Sequence, residues 1–212
     1  MYVDKLKYYV EFLLEIIFPR NFDVLKLEKY LDSQVSDLNK DNVLFLFKYK
    51  DNNLKQAIWE MKFKSNRRVA EVFGKFLANK INKLLNAGDK YLLLPTPIHK
   101  KRRDERGFNQ CEWLCEEIIK NIRPNRLSKI KYEPKILLRE KYTTKQSWSD
   151  KKAREENLKG AFKVSEKNKD EIVGIKIILI DDVLTTGSTI REMRQTLKES
   201  GASEIISIVI AH

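Results

Sequence analysis

The chain has 212 residues, 42 of them Lys or Arg and 30 Asp or Glu, for a formal net charge of +12. That length suits one full domain with a smaller appendage, and it lets roughly 70% of the unfolded surface be buried without disulfides. With 42% hydrophobic residues, 7 Gly and 5 Pro, wholesale disorder, low-complexity linkers and collagen-like repeats are excluded. The two cysteines, Cys111 and Cys115, rule out a disulfide framework and a four-cysteine zinc site. One helical turn apart, they read as core packing. Low cysteine use and no signal-peptide pattern point to a cytoplasmic protein, and no run approaches 18 apolar residues, so no membrane insertion is expected.

In chain order, residues 1–42 read as a helical N-terminal region. Leu6, Tyr9, Val10, Leu13, Leu14 and Ile17 share one face of an amphipathic helix that Pro19 stops, and Phe22 to Leu38 forms a second, weaker one. Val43 to Tyr49 is a short strand. Leu54 to Leu85 holds two helices around a Lys64–Arg68 turn. Tyr91 to Leu94 is a buried strand closed by Pro95-Thr96-Pro97, and it opens into a densely basic loop from Ile98 to Phe108. Asn109 caps a helix to about Ile122. Pro124 and Pro134 bracket a connection to a short strand, Ile136 to Leu138. Residues 139–160 are polar and without period, a long mobile loop turning helical around Ser149–Asn157.

The last 40 residues are the clearest. Ile177 to Ile180 is an apolar, β-branched run of the kind buried on both faces. A loop from Asp181 to Thr189 leads to a helix, Ile190 to Glu199, which Gly201 stops, and Ile205 to Ile210 follows as another strand. Strand, loop, helix and strand at this spacing make a βαβ unit. The expected fold is therefore α/β, a parallel sheet flanked by helices.

The loop after Ile180 carries chemistry. Two carboxylates, Asp181 and Asp182, stand at the carboxyl end of a buried strand, the edge where open α/β sheets bind ligands. Thr185-Thr186-Gly187-Ser188-Thr189 then offers four hydroxyls and a glycine immediately before a helix. Amides converging at a helix N-terminus suit a phosphate, and Gly187 leaves room for close approach. The carboxylates suit vicinal sugar hydroxyls or a divalent metal, so the loop asks for a sugar phosphate. The competing reading is ordinary helix capping and turn formation. P-loop and dinucleotide glycine motifs are absent, and His99 and His212 have no zinc-ligand spacing.

The run Ile178 to Thr189 closely resembles the phosphoribosyl pyrophosphate (PRPP) signature of type I phosphoribosyltransferases. The blocks Leu94 to His99 and Arg106 to Gln110, then the spaced set Arg139, Thr143, Gln146, Arg154, Asn157 and Gly160 to Phe162, narrow the resemblance to the ComF/GntX competence-associated branch over about residues 43–212. The resemblance implies a type I phosphoribosyltransferase-like fold for 43–212. It implies that Asp181 and Asp182 hold the ribose hydroxyls and serve catalysis, while Leu184, Thr185, Thr186, Gly187, Ser188 and Thr189 cradle the 5-phosphate. Pro97, Ile98, His99, Lys100, Lys101, Arg102, Arg103 and Arg106 would meet the pyrophosphate with Mg²⁺ bridging, no metal being held by protein side chains. Residues 139–157, with Arg139, Thr143, Gln146, Arg154 and Asn157, would form a mobile hood, and Arg102, Arg103, Arg106 and Arg139 are the candidates for leaving-group contact. Family members usually begin with a paired-cysteine zinc module. Here Phe18-Pro19-Arg20-Asn21-Phe22 stands where its first cysteines are expected, so no zinc is expected.

Three functions follow from the resemblance: a PRPP-binding protein of natural competence and DNA uptake, a phosphoribosyltransferase of nucleotide metabolism or salvage, or a non-catalytic PRPP sensor. Residues 123–159 hold 12 Lys or Arg against 5 Asp or Glu, interleaved with Tyr132, Tyr142 and Trp148. That pattern suits sequence-independent single-stranded DNA binding, or else a solvated basic surface with locally packed aromatics. Competence-machinery proteins are the other partners the resemblance implies.

Overall fold

The computed structural model describes residues 23–32, 38–40, 43–49, 52–142 and 157–212. The helix expected over Leu6 to Ile17, its stop at Pro19, the segment Phe18 to Phe22, the helix at 149–157 before Asn157, and the candidates Thr143, Gln146, Trp148 and Arg154 lie outside them.

One six-stranded sheet organises the chain, built from β1 (Leu38–Lys40), β2 (Val43–Phe47), β3 (Tyr91–Pro95), β4 (Ile130–Tyr132), β7 (Lys176–Val183) and β8 (Glu204–Ala211). The order is β1-β2-β8-β7-β3-β4, with every neighbouring pair parallel except β1 on β2. A separate antiparallel ribbon pairs β5 (Leu137–Arg139) with β6 (Phe162–Val164). The central strands are apolar on both faces because both faces are covered. On β7, Ile178 and Ile180 join one core and Ile177 and Leu179 the other, as a period of two requires.

The first core packs α1 (Val24–Asp32), α2 (Asn52–Phe63), α3 (Arg67–Leu84) and α5 (Gln110–Asn121) against the sheet. The second packs α6 (Ser188–Glu199) and the ribbon against the opposite face. The helices α3 and α5 lie very close: a methyl group on Gly74 would stand 2.3 Å from the Cβ of Glu117. Only glycine permits that approach.

Four elements differ from the sequence reading. The second helix ends at Asp32, and Leu38 to Lys40 pairs on the edge of β2, where a short segment satisfies exposed backbone groups. The basic loop contains a two-turn helix, α4 (Lys100–Arg106), stopped by Gly107 at φ 82°. The connection from Pro124 to Pro134 holds a 3₁₀ turn, Pro124–Lys129, and the edge strand β4. The strand expected at Ile136 to Leu138 begins one residue later and joins the ribbon, outside the main sheet.

Candidate functional site

The sheet fixes where a ligand can sit. From β3 the chain crosses through α5 to β4 on one side, and from β7 it crosses through α6 to β8 on the other. The crossovers diverge between β3 and β7, which opens a crevice beyond the carboxyl ends of these two strands. The amide of Thr96 donates to the carbonyl of Ile180 at 2.8 Å and holds the two strand ends together.

Asp181 and Asp182 lie within β7 rather than in the loop after it. Asp182 is buried. Its Oδ2 accepts from Gln110 Nε2 at 2.7 Å and from the Lys62 ammonium at 2.9 Å. Burial pulls the Lys62 pKa down, but the Asp182 carboxylate outweighs it and the net shift is upward. Asp181 is only partly buried. Its Oδ1 accepts the amide of Asp182 at 2.9 Å and the Cys111 thiol at 3.7 Å. Desolvation, then the neighbouring Asp182 charge, push Asp181 up to about 7, with Lys62 opposing. Burial likewise raises the Cys111 thiol well above its usual value, so it stays protonated and donates.

The phosphate loop is shorter than the sequence suggests. Leu184 to Gly187 form the turn, while Ser188 and Thr189 already open α6. Leu184 is tied to the last strand by its amide, which donates to Ala211 at 2.9 Å, and by its carbonyl, which lies 2.9 Å from His212 Nδ1. Gly187 sits at φ 74°, so the glycine is required by the backbone and not only by ligand clearance. The Thr186 and Ser188 hydroxyls are 2.9 Å apart. Arg191 folds back across the turn and donates to the Thr186 carbonyl at 3.0 Å and to Ser188 Oγ at 3.3 Å. The amides of Thr186 and Gly187 have no partner among the described residues, which leaves two donors at the start of a helix.

The basic residues divide. Arg106 donates to Gln110 Oε1 at 2.8 Å and lies over the rings of Phe63 and Phe108, so it braces the Asp182 network. Arg103 is paired with Glu112. His99 caps α4 by accepting the amide of Lys101 at 3.2 Å, and both side chains pack on Tyr142. Pro97 is buried, Ile98 partly so, and Lys100 exposed. Arg102 is within electrostatic reach of both Arg106 and Arg139, whose pKa values are lowered by burial and then by Arg102. Asp181 opposes that shift at Arg139. The positive charge of Arg102 thus works against that of Arg139, a repulsion that an anion binding near them would relieve. Arg139 also stacks on Phe162, and Asn157 is exposed.

Sequence reasoning did not single out Lys62, Cys111, Gln110 or Arg191 as site residues. A clue to Lys62 exists, for it continues the i, i+4 stripe of Leu54 and Ile58, where an apolar residue is expected. Cys111, Asp181 and Asp182 bring one donor atom each within 4.8 Å of one another. That set does not suit Mg²⁺, which demands oxygen ligands, because one donor is a protonated thiol and Asp182 is held by an ammonium.

Residues 129–212 match the phosphoribosyl transferase domain family. Competence protein F of Haemophilus influenzae is 34% identical over 113 residues, covering 53% of this chain and 46% of that protein. Competence protein ComFC of Bacillus subtilis is 31% identical over 155 residues, 73% of this chain and 57% of that one. DNA utilization protein YhgH of Escherichia coli K12 is 26% identical over 155 residues, 72% and 64% respectively. The chain thus spans about half to two-thirds of the length of these relatives. A solved hypoxanthine phosphoribosyltransferase from Staphylococcus aureus aligns with 66% of this chain and 61% of its own, at 12% identity and a TM-score of 0.39. The domain match and the competence-named relatives agree with the parallel sheet and its ligand edge: the chain carries a phosphoribosyl transferase domain over residues 129–212 and is similar to the ComF competence proteins.

Proposed function

We propose that the protein binds PRPP in the crevice between β3 and β7 and acts on it in the handling of imported DNA. The observation that carries the reading is one sheet edge with three complementary parts. The Leu184–Gly187 turn offers open amides to the 5-phosphate, Asp181 serves the ribose hydroxyls, and the Arg102 and Arg139 guanidinium groups supply positive charge for the pyrophosphate. Mg²⁺ enters with the pyrophosphate as part of the substrate, since the donor set on the protein does not suit it. Breaking the C1–pyrophosphate bond leaves positive charge on the ribose and negative charge on the leaving group. Asp181 stabilises the first, and the guanidinium groups stabilise the second. The role in competence and DNA uptake rests on the names of the relatives. Calorimetric titration of PRPP with Mg²⁺ tests the site: saturable binding that Asp181→Asn weakens supports it, and no binding at millimolar PRPP refutes it.

A second reading, single-stranded DNA binding through residues 123–159, is supported by the local basic excess. Its cations and aromatics are partly committed elsewhere. Arg126 donates to the Leu85 carbonyl, Lys129 donates to Asn86 at 3.1 Å, Lys131 is paired with Glu133 and Glu171, and Tyr132 packs on the first core. Trp148 lies outside the described residues. Fluorescence anisotropy with a labelled oligonucleotide tests this reading: salt-sensitive binding supports it, and none at low salt refutes it.

A further inference from the structure

The acid pair at the end of β7 is asymmetric in a way the sequence Asp181-Asp182 conceals. Asp182 is buried, and one of its oxygens takes both the Lys62 ammonium at 2.9 Å and the Gln110 amide at 2.7 Å. These partners come from the last turn of α2 and the first turn of α5, helices of the first core. Asp181 is only partly covered: it receives the Asp182 amide and the Cys111 thiol of α5, and its carboxylate stays within 4.8 Å of that of Asp182. Two adjacent carboxylates repel when both are charged. An ammonium fixed on one of them removes that cost and decides which of the two is free for a ligand.

We propose that Lys62 is a positioning residue that divides the acid pair, anchoring Asp182 to α2 and α5 and leaving Asp181 alone to meet the ribose hydroxyls. The inference rests on the PRPP reading of the crevice. Lys62 touches no substrate atom in this scheme. It acts by holding the end of β7, and with it the Leu184–Gly187 turn, at the depth where the 5-phosphate and the ribose are reached together. Gln110 extends the same network to Arg106 on α4, so the pyrophosphate side is braced by the same carboxylate.

The test is calorimetric titration of the full chain with PRPP and Mg²⁺. Lys62→Met should weaken binding by about tenfold or more, the effect of a lost charge-assisted contact of about 1.4 kcal/mol. Lys62→Arg should restore most of it, and Lys62→Gln serves where the Met variant does not fold. Ile58→Ala, a core substitution one turn earlier on α2, should lower the melting temperature and leave PRPP affinity unchanged, which separates positioning from general destabilisation. In an Asp182→Asn background, Lys62→Met should be nearly silent, because the charge it serves is gone. Wild-type protein that binds no PRPP would refute the PRPP reading and this role with it. Wild-type protein that binds, with a folded Lys62→Met or Lys62→Gln variant binding equally well, would overturn the role of Lys62 alone. Additive losses in the double variant would do the same.

Discussion

Replacing Gly187 isolates the backbone requirement of the phosphate turn. The residue sits at φ 74°, and a Cβ there would lie 3.2 Å from an Arg191 guanidinium nitrogen and 3.5 Å from Leu184 Cδ1. The guanidinium is the flexible end of a long side chain and can yield, so sterics alone cost little. Conformation costs more: a left-handed residue with a side chain is disfavoured by about 1–2 kcal/mol. In a chain of this size each kcal/mol lowers the melting temperature by about 2–4 °C, which puts Gly187→Ala about 2–8 °C below wild type. Gly187→Val should lose more, since a β-branched residue fits that region worst. The ligand suffers separately. If the turn relaxes toward negative φ, the amides of Thr186 and Gly187 no longer converge. Losing one hydrogen bond to a charged group, about 1.5–3 kcal/mol, weakens PRPP by about 10- to 150-fold. Calorimetry of PRPP with Mg²⁺ alongside thermal denaturation reads both effects. A folded Gly187→Val protein that binds PRPP like wild type would refute the assignment of the turn.

Three further outcomes are expected. Asp181, raised from 3.8 to about 7, takes up a proton on folding within that window, so the stability it allows is present at low pH and lost as pH rises through about 7. The melting temperature of Asp181→Asn relative to wild type should therefore climb from pH 5 to pH 8, and a flat difference would show that Asp181 is not buried against Asp182. Asn109→Ala removes the cap on the Cys111 amide and a bond to the Thr96 carbonyl, each 3.0 Å; a loss of about 2 kcal/mol is expected in urea denaturation, and a change under about 0.5 kcal/mol counts against both bonds. Purified protein should carry no stoichiometric zinc, because the donor cluster Cys111, Asp181 and Asp182 already holds the Lys62 ammonium on one of its carboxylates; elemental analysis finding one zinc per chain would contradict this.

The strands and helices near the C-terminus were legible because their signals are long and mutually consistent. Ile177 to Ile180 reads as a strand covered on both faces, and the helix after Gly187 ends at Glu199, just before Gly201 at φ 97°, as its pattern predicts. The three-residue strands β4 and β6 carry no period that a pattern can reveal, and their pairing is decided by neighbours distant in sequence. The site divides in the same way. The phosphate turn is local, so the run Thr185 to Thr189 exposes it. Lys62 stands 120 positions from Asp182, and nothing near it in sequence announces an acidic partner; only its place on the stripe of Leu54 and Ile58 is out of keeping with an apolar face. Arg106 shows the converse. Its local context is a basic loop facing an anion, while its actual partners are Gln110 and two aromatic rings.

The contact at Gly74 acts as a calibration for the whole ligand edge. It lies against Glu117, seven residues along α5 from Gln110, a lever arm of about 10 Å at 1.5 Å per residue. The Gln110–Asp182 bond at the far end is 2.7 Å long and ceases to be a hydrogen bond beyond about 3.5 Å. A displacement of less than an ångström at the fulcrum is thus enough to disengage the carboxylate at the tip. The missing side chain at position 74, remote from every ligand and charge of the site, sets the working tolerance of the crevice through the spacing of two helices.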